Sequence, residues 1–242
     1  MTKTKHKLVF ATGGKGGVGK TIALLSLLDA ISAAGLTAAV VDADRENAKA
    51  GGLADHVAAT TIDLRDKVSC DKLLTLAAEN SLTVCDLPAN AGGDFLEWFS
   101  LASDPAVLEE LDLSLYAVGV INPTAASVAS VLKWAESLQD AAAYVIALNR
   151  RSEDRTTKPI EDVFADYYKS PAAKKFRAAA SPIEVEIPGL YEFAAKAWSK
   201  VGGLASEAAE NPAIPILDRS RLRKFAVATI ANWQPLIDVL RS

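Results

Sequence analysis

Residues Gly13 to Thr21 read GGKGGVGKT, and within them Gly14 to Thr21 satisfy the pattern G-x-x-x-x-G-K-[ST] in full. The apolar run LVFAT (8–12) precedes this loop and the helix-forming stretch TIALLSLLDAISAAG follows it. A glycine loop between a strand and a helix constrains the fold more than any other stretch of the chain. Glycines let successive backbone N–H groups curl around phosphate oxygens, and the helix N-terminus adds its positive end. In this reading Gly14, Lys15, Gly16, Gly17, Val18 and Gly19 form the cradle. Lys20 brings a point charge to the terminal phosphates, and the Thr21 hydroxyl is placed to ligate Mg²⁺. Lys15 is one lysine more than such a cradle needs.

The rest of the chain repeats the strand–helix alternation of a parallel sheet covered on both faces. Strands are expected at 8–12, 37–44, 81–88, 114–121, 143–149 and 183–187, with helices after the glycine loop, over 70–79, 124–139 and 160–179, and in the tail from 218 to 240. Gly35 should close the first helix and Pro235 should interrupt the last. Residues 45–60 read as loop, and RRSEDRTTKP as an exposed loop or lid. The expected fold is α/β: a doubly wound, mostly parallel sheet of about six to eight strands, in a single domain over 1–242. With 242 residues, half of them apolar, the chain can bury a large core.

In open α/β sheets the ligand lies beyond the carboxyl ends of the strands, and two such ends carry acids. VVDADREN places Asp42 and Asp44 at one tip, with alternate residues on one side. TVCDLP places Asp86 at another, after a mostly apolar strand. A buried carboxylate is costly unless paired or metal-bound, so Asp86 reads as the acid that holds Mg²⁺ through its waters. Leu87 follows it where many ATPases carry a glutamate that activates water, so the water-positioning group must lie elsewhere.

The form K-G-G-x-G-K-[ST] resembles the deviant Walker A loop of the ParA/MinD family of dimerising ATPases. The resemblance implies that Lys15 reaches across a two-fold interface to the phosphates of the partner's ATP. It also implies that Asp44 positions the attacking water, with Asp42 nearer the phosphates and the metal; an N-cap is the other reading of Asp44. Asn149, ending YVIALN, and Pro188, after IEVEI, would frame the adenine, and no N-K-x-D motif of the GTP type occurs. DADREN and CDLPAN depart from the residues usual in segregation ATPases, and the layout is similar to the TraL/StbB-like branch encoded with plasmid mobilisation and stability genes.

The resemblance implies a Mg-ATP-dependent switch that forms a homodimer on ATP binding, acts in plasmid or DNA segregation, mobilisation or positioning, and meets a plasmid-encoded adaptor protein. The alternative is a biosynthetic P-loop enzyme of the dethiobiotin-synthetase or cobyrinate-amidating type, phosphorylating a small carboxylate. An electron-transfer ATPase with a bridging cluster needs exposed paired cysteines, and Cys85 falls inside a strand. The net charge of −4 argues against wholesale nucleic-acid coating, yet Arg219, Arg221, Arg223 and Lys224 form a basic cluster, either a solvated face or a DNA contact. Leu222, Phe225, Ile230 and Trp233 have helix-like spacing that suits packing on the sheet better than a membrane surface. Trp98 and Phe99 suit either a dimer face or the core. LVFAT is too short for a signal-peptide core, and no apolar run approaches the roughly 18 residues of a membrane span, so a cytoplasmic protein is expected.

Overall fold

Apolar runs too short for helices become strands here because the central ones lie between other strands and are covered on both faces. The computed structural model of the protein describes residues 5–13, 16–43, 52–64, 67–88, 93–102, 104–151 and 157–242. The strands are β1 (His6–Thr12), β2 (Ala39–Asp42), β3 (Thr60–Thr61), β4 (Leu82–Asp86), β5 (Leu113–Ile121), β6 (Ala143–Asn149) and β7 (Ile183–Ile187). They form one sheet in the order β3-β2-β4-β1-β5-β6-β7, every pair parallel. Seven strands fall inside the expected range, and β1, which feeds the glycine loop, sits at the centre of the sheet. The two-residue β3 lies at the end of the segment expected as loop. It is an exposed edge pairing, Val41 with Thr60 and Asp42 with Thr61, with no apolar alternation to announce it.

One face of the sheet carries α1 (Lys20–Ala33), α9 (Glu192–Val201), α10 (Ala205–Ala208), α11 (Ile216–Asn232) and α12 (Gln234–Arg241). Val9, Val84, Val118, Val145 and Val185 point there, against Leu24, Leu27, Trp198 and Trp233. The other face carries α2 (Lys67–Glu79), α3 (Gly93–Ala102), α4 (Pro105–Glu110), α5 (Ala125–Leu138), α6 (Ile160–Val163), α7 (Ala165–Lys169) and α8 (Pro171–Ala180). Its core holds Leu8, Phe10, Val41, Cys85, Trp98, Phe99 and Trp134, continued by Ile146, Leu148, Phe164 and Tyr167. Trp98 and Phe99 are therefore core residues, and the Trp98 indole N–H donates to Asp71 Oδ1 at 2.8 Å.

Gly35, at φ +70°, ends α1 with the bond from Leu36 N to Ile31 O. The helix expected over 160–179 is broken twice. Phe164 leaves helical backbone, and Ser170, extended because Pro171 follows it, caps α8 by accepting from Ala173 N. In the tail the break falls at Trp233, two residues before Pro235, which sits in the first turn of α12. Leu222, Phe225 and Trp233 are buried and Ile230 packs beside them, so this apolar stripe faces the sheet. Among the described residues no helix is long and apolar enough to cross a membrane.

Candidate functional site: the glycine loop and the strand tips

The loop leaves β1 through Gly13 at φ +132°, turns through Gly17 at φ +72°, and enters α1 through Gly19 at φ +95°. Gly19 is the N-cap of α1 and has no side chain to occupy the free N–H groups of the first turn, which stay available to an anion. A Cβ at Gly19 would lie 2.1 Å from Asn149 Nδ2, so glycine is required there for space as well as for φ. Val18 is buried beneath the loop, and Lys20 is 7 % exposed at the start of the helix. Gly14 and Lys15 lie outside the described residues, as does Asp44.

Thr21, one turn into the site, donates its hydroxyl to Asp86 Oδ2 at 2.9 Å. Asp86 ends β4 and is 1 % exposed. Its neighbour across the sheet is Asp42, the last residue of β2, and the Ala43 N–H donates to the Asp86 carbonyl. The register thus sets two buried acidic residues side by side on adjacent strands, whose backbones lie about 4.8 Å apart across the sheet. Asp42 Oδ2 accepts from Ala54 N at 2.9 Å, which ties the 3₁₀ turn Leu53–Asp55 to the site. Like charges so placed repel one another, and a divalent cation is their natural counter-charge. Thr21 and Asp86 are in direct contact, and Asp42 lies beside Asp86 on the adjacent strand.

Asn149 and Pro188 lie at the tips of neighbouring strands, where Arg150 N donates to Ile187 O at 3.1 Å. Asn149 also grips the glycine loop: its Nδ2 donates to Val18 O at 2.9 Å, and its Oδ1 accepts from Arg151 N at 3.0 Å. A planar amide is legible in the sequence, but this link across the fold is not. No sequence motif marks Arg150. Almost fully buried, it meets Glu186 at 2.6 Å and donates to Lys158 O at 2.9 Å, tying Lys158 to the strand tip. Its only sequence signal is an arginine straight after an apolar strand.

Two of the four cations in the 219–224 cluster have carboxylate partners: Arg221 with Asp218 at 2.8 Å, and Arg223 with Glu210 at 2.7 Å. Cys70 and Cys85 are both buried. Burial, with Asp86 and Asp42 nearby, pushes the Cys85 thiol far up, so it stays protonated.

A model of the CobQ/CobB/MinD/ParA nucleotide binding domain family matches residues 9–211. Among solved structures, the MinD cell division protein of Aquifex aeolicus is similar at 17% identity and a TM-score of 0.54, over 95% of this chain and 97% of that one. A chain of the MinC:MinD cell division protein complex of the same organism is similar at 16% identity and a TM-score of 0.53, over 95% of this chain and 96% of that one. These two likenesses are of fold. No curated protein matches the sequence.

Proposed function

The chain belongs to the CobQ/CobB/MinD/ParA nucleotide-binding family, and on that premise we propose that it is a Mg-ATP-dependent ATPase that works as a dimerising molecular switch. The observation that carries this reading is the Thr21–Asp86 hydrogen bond, at 2.9 Å, beside Asp42. A hydroxyl and two carboxylates at one end of a phosphate cradle are a site for a nucleotide that arrives with a divalent cation. Thr21, Asp42 and Asp86 would hold Mg²⁺, which would supply counter-charge to the phosphates there. Gly14, Gly16, Gly17, Val18 and Gly19 present backbone N–H groups, and Lys20 places its ammonium on the terminal phosphates.

Asn149 retains a second amide hydrogen and a second lone pair beyond its two bonds, which is what reading the edge of adenine requires. Pro188 closes the other side of the base. Lys15 supplies its charge to the partner's nucleotide, so that ATP favours the closed dimer over the monomer; without that difference nothing would be switched. Asp44 positions the attacking water. One domain spanning 1–242 carries all of these parts. The departures at DADREN and CDLPAN favour a role in plasmid mobilisation or stability, of the TraL/StbB-like kind, with an adaptor protein as partner.

Turnover tests the reading. With Mg-ATP and no acceptor, the wild type should release phosphate slowly, and Lys15→Ala and Asp44→Ala should lose that release. Transfer of the phosphoryl group to a small carboxylate, insensitive to Lys15→Ala, would instead mark a biosynthetic enzyme.

A further inference from the structure

The phosphate loop and its acids take the carboxyl ends of the strands. At the amino ends of β5, β6 and β7 there is a second opening, a cavity of about 810 Å³. That volume lies within the roughly 300–1,000 Å³ of small-molecule sites. Leu132, Ala135 and Glu136 of α5 line it from one side, and Lys175, Phe176 and Ala179 of α8 from the other. Each set recurs at helical spacing, so one stripe of each helix forms a wall. Ile183 and Val239 add apolar surface. The Tyr144 ring meets Phe176 edge-on at 5.3 Å, and its hydroxyl donates to Gln139 O at 2.6 Å. This wall is therefore fixed before anything binds.

The lining holds two things that the fold itself does not use. Tyr116 is only 9 % exposed, yet its hydroxyl has no hydrogen-bond partner among the described residues. A phenol so placed is a ready contact for a polar group that enters. Charge is the second. Glu136 and Asp140 have no cation partner among the described residues, and Lys175 is the single cation in the lining. The helix ends add to the acids. α5 has no basic residue in its last turn, and Arg177 in the last turn of α8 is taken by Glu184 at 2.7 Å. Gln139 and Ser181, which cap these two ends, both line the cavity, so two helix C-termini turn their negative poles to it. Burial, reinforced by Asp140, pushes the Tyr144 phenol up to about 12, in keeping with a negative cavity.

We propose that this cavity binds a small organic ammonium ion with an aromatic or alkyl body. Glu136 and Asp140 meet the ammonium, Leu132, Phe176, Ile183 and Val239 surround the body, and the Tyr116 hydroxyl takes a polar substituent on it. The aromatic faces favour a cation as well. An anion is disfavoured, because it would meet two carboxylates and two helix C-termini against one lysine. A protein segment is disfavoured because the volume suits a single drug-sized molecule. The cavity lies at the far end of the strands from the phosphate loop and needs neither ATP nor a dimer. It therefore stands or falls apart from the switch.

The test is titration of the full chain, in excess Mg-ADP, with phenethylamine and tyramine, read by saturation-transfer NMR. Both amines should bind, and their uncharged N-acetyl forms should bind roughly tenfold more weakly. Joint replacement Glu136→Gln and Asp140→Asn should weaken both amines by about fivefold or more. Tyramine should bind about threefold tighter than phenethylamine, and Tyr116→Phe should remove that gain. Ala179→Trp fills the cavity from an exposed position of α8 and should abolish binding. Ala178→Trp, exposed on the same helix but outside the lining, should leave binding unchanged, and circular dichroism should show α8 intact in both. Binding of neither amine, hydrocinnamate or the N-acetyl forms held as tightly as the amines, or affinity indifferent to Ala179→Trp would overturn the proposal. So would an oligolysine peptide held where neither amine is, which would make the cavity a protein-docking site.

Discussion

At the tips of β2 and β4, Asp42 and Asp86 stand side by side, two buried carboxylates on adjacent strands. On β7, Glu184 meets Arg177 at 2.7 Å and Glu186 meets Arg150 at 2.6 Å. Glu184 also accepts from the hydroxyls of Tyr167 and Tyr168, whose phenols burial and that carboxylate push far up. Both regions lie on one parallel sheet. In the second, each acid has its cation supplied by the fold: Glu184 fastens α7 and α8 to an edge strand, and Glu186 holds Arg150 at the end of β6. In the first, two carboxylates are set together at the mouth of a phosphate loop, where Asp86 accepts from the Thr21 hydroxyl. The difference separates binding from stability and makes the two separable by mutation.

The largest effect should come from the first region. Asp86→Asn, which keeps an acceptor for Thr21, should lower nucleotide affinity in Mg²⁺ roughly 10- to 100-fold by calorimetry, the worth of a charged contact. Its Tm should move by less than about 4 °C. A large Tm drop with intact Mg²⁺-dependent affinity would erase the contrast.

Gly19→Ala comes next, because it strains a left-handed backbone site and drives a methyl into Asn149. It should cost about 1–3 kcal/mol in urea unfolding, and less in an Asn149→Ala background. Equal costs in both backgrounds would mean that Asn149 does not set the space for the loop.

Arg177→Ala probes the other region. It should lower Tm by roughly 3–6 °C, for a loss of about 1–2 kcal/mol at a partly exposed pair, and leave nucleotide affinity unchanged.

The smallest effect concerns His56, whose ring packs edge-on against Trp198 at 5.5 Å. Burial holds its pKa below 6.5, so the unfolded chain binds the proton more readily than the folded one. The stability that His56 contributes should be complete above pH 6.5 and fall as the pH drops below it. Thermal unfolding of His56→Phe should show a flatter slope through that range; an identical slope would assign the pH dependence to other groups.

Much of this was legible in the sequence, and the reasons differ by residue. β6 and β7 match their expected spans to the residue: β6 is an apolar run ended by a polar turn, and β7 alternates Ile, Val and Ile with glutamate and is stopped by Pro188. α1 and its closing glycine were equally plain. α4, α9 and α10 are not among the expected helices: α4 is six residues long with only Asp104–Pro105 to mark its start, and α10 is a single turn. The break at Ser170–Pro171 carried a proline signal inside a longer helical pattern and was overridden by it. In the site, residue types and order gave Thr21, Asp42 and Asp86. Contacts made by tertiary approach, such as Asn149 with Val18 or Ala54 with Asp42, have no local signature.

The central claim is that Lys15 acts across a nucleotide-bridged dimer. It is tested most directly by the mass of the protein in solution, measured by analytical ultracentrifugation with ADP and with Mg-ATP. The wild type should be monomeric with ADP and dimeric with ATP, Asp44→Ala should accumulate the ATP dimer, and Lys15→Ala should fail to form it. A protein that stays monomeric in ATP, or dimerises equally well without Lys15, would contradict the account.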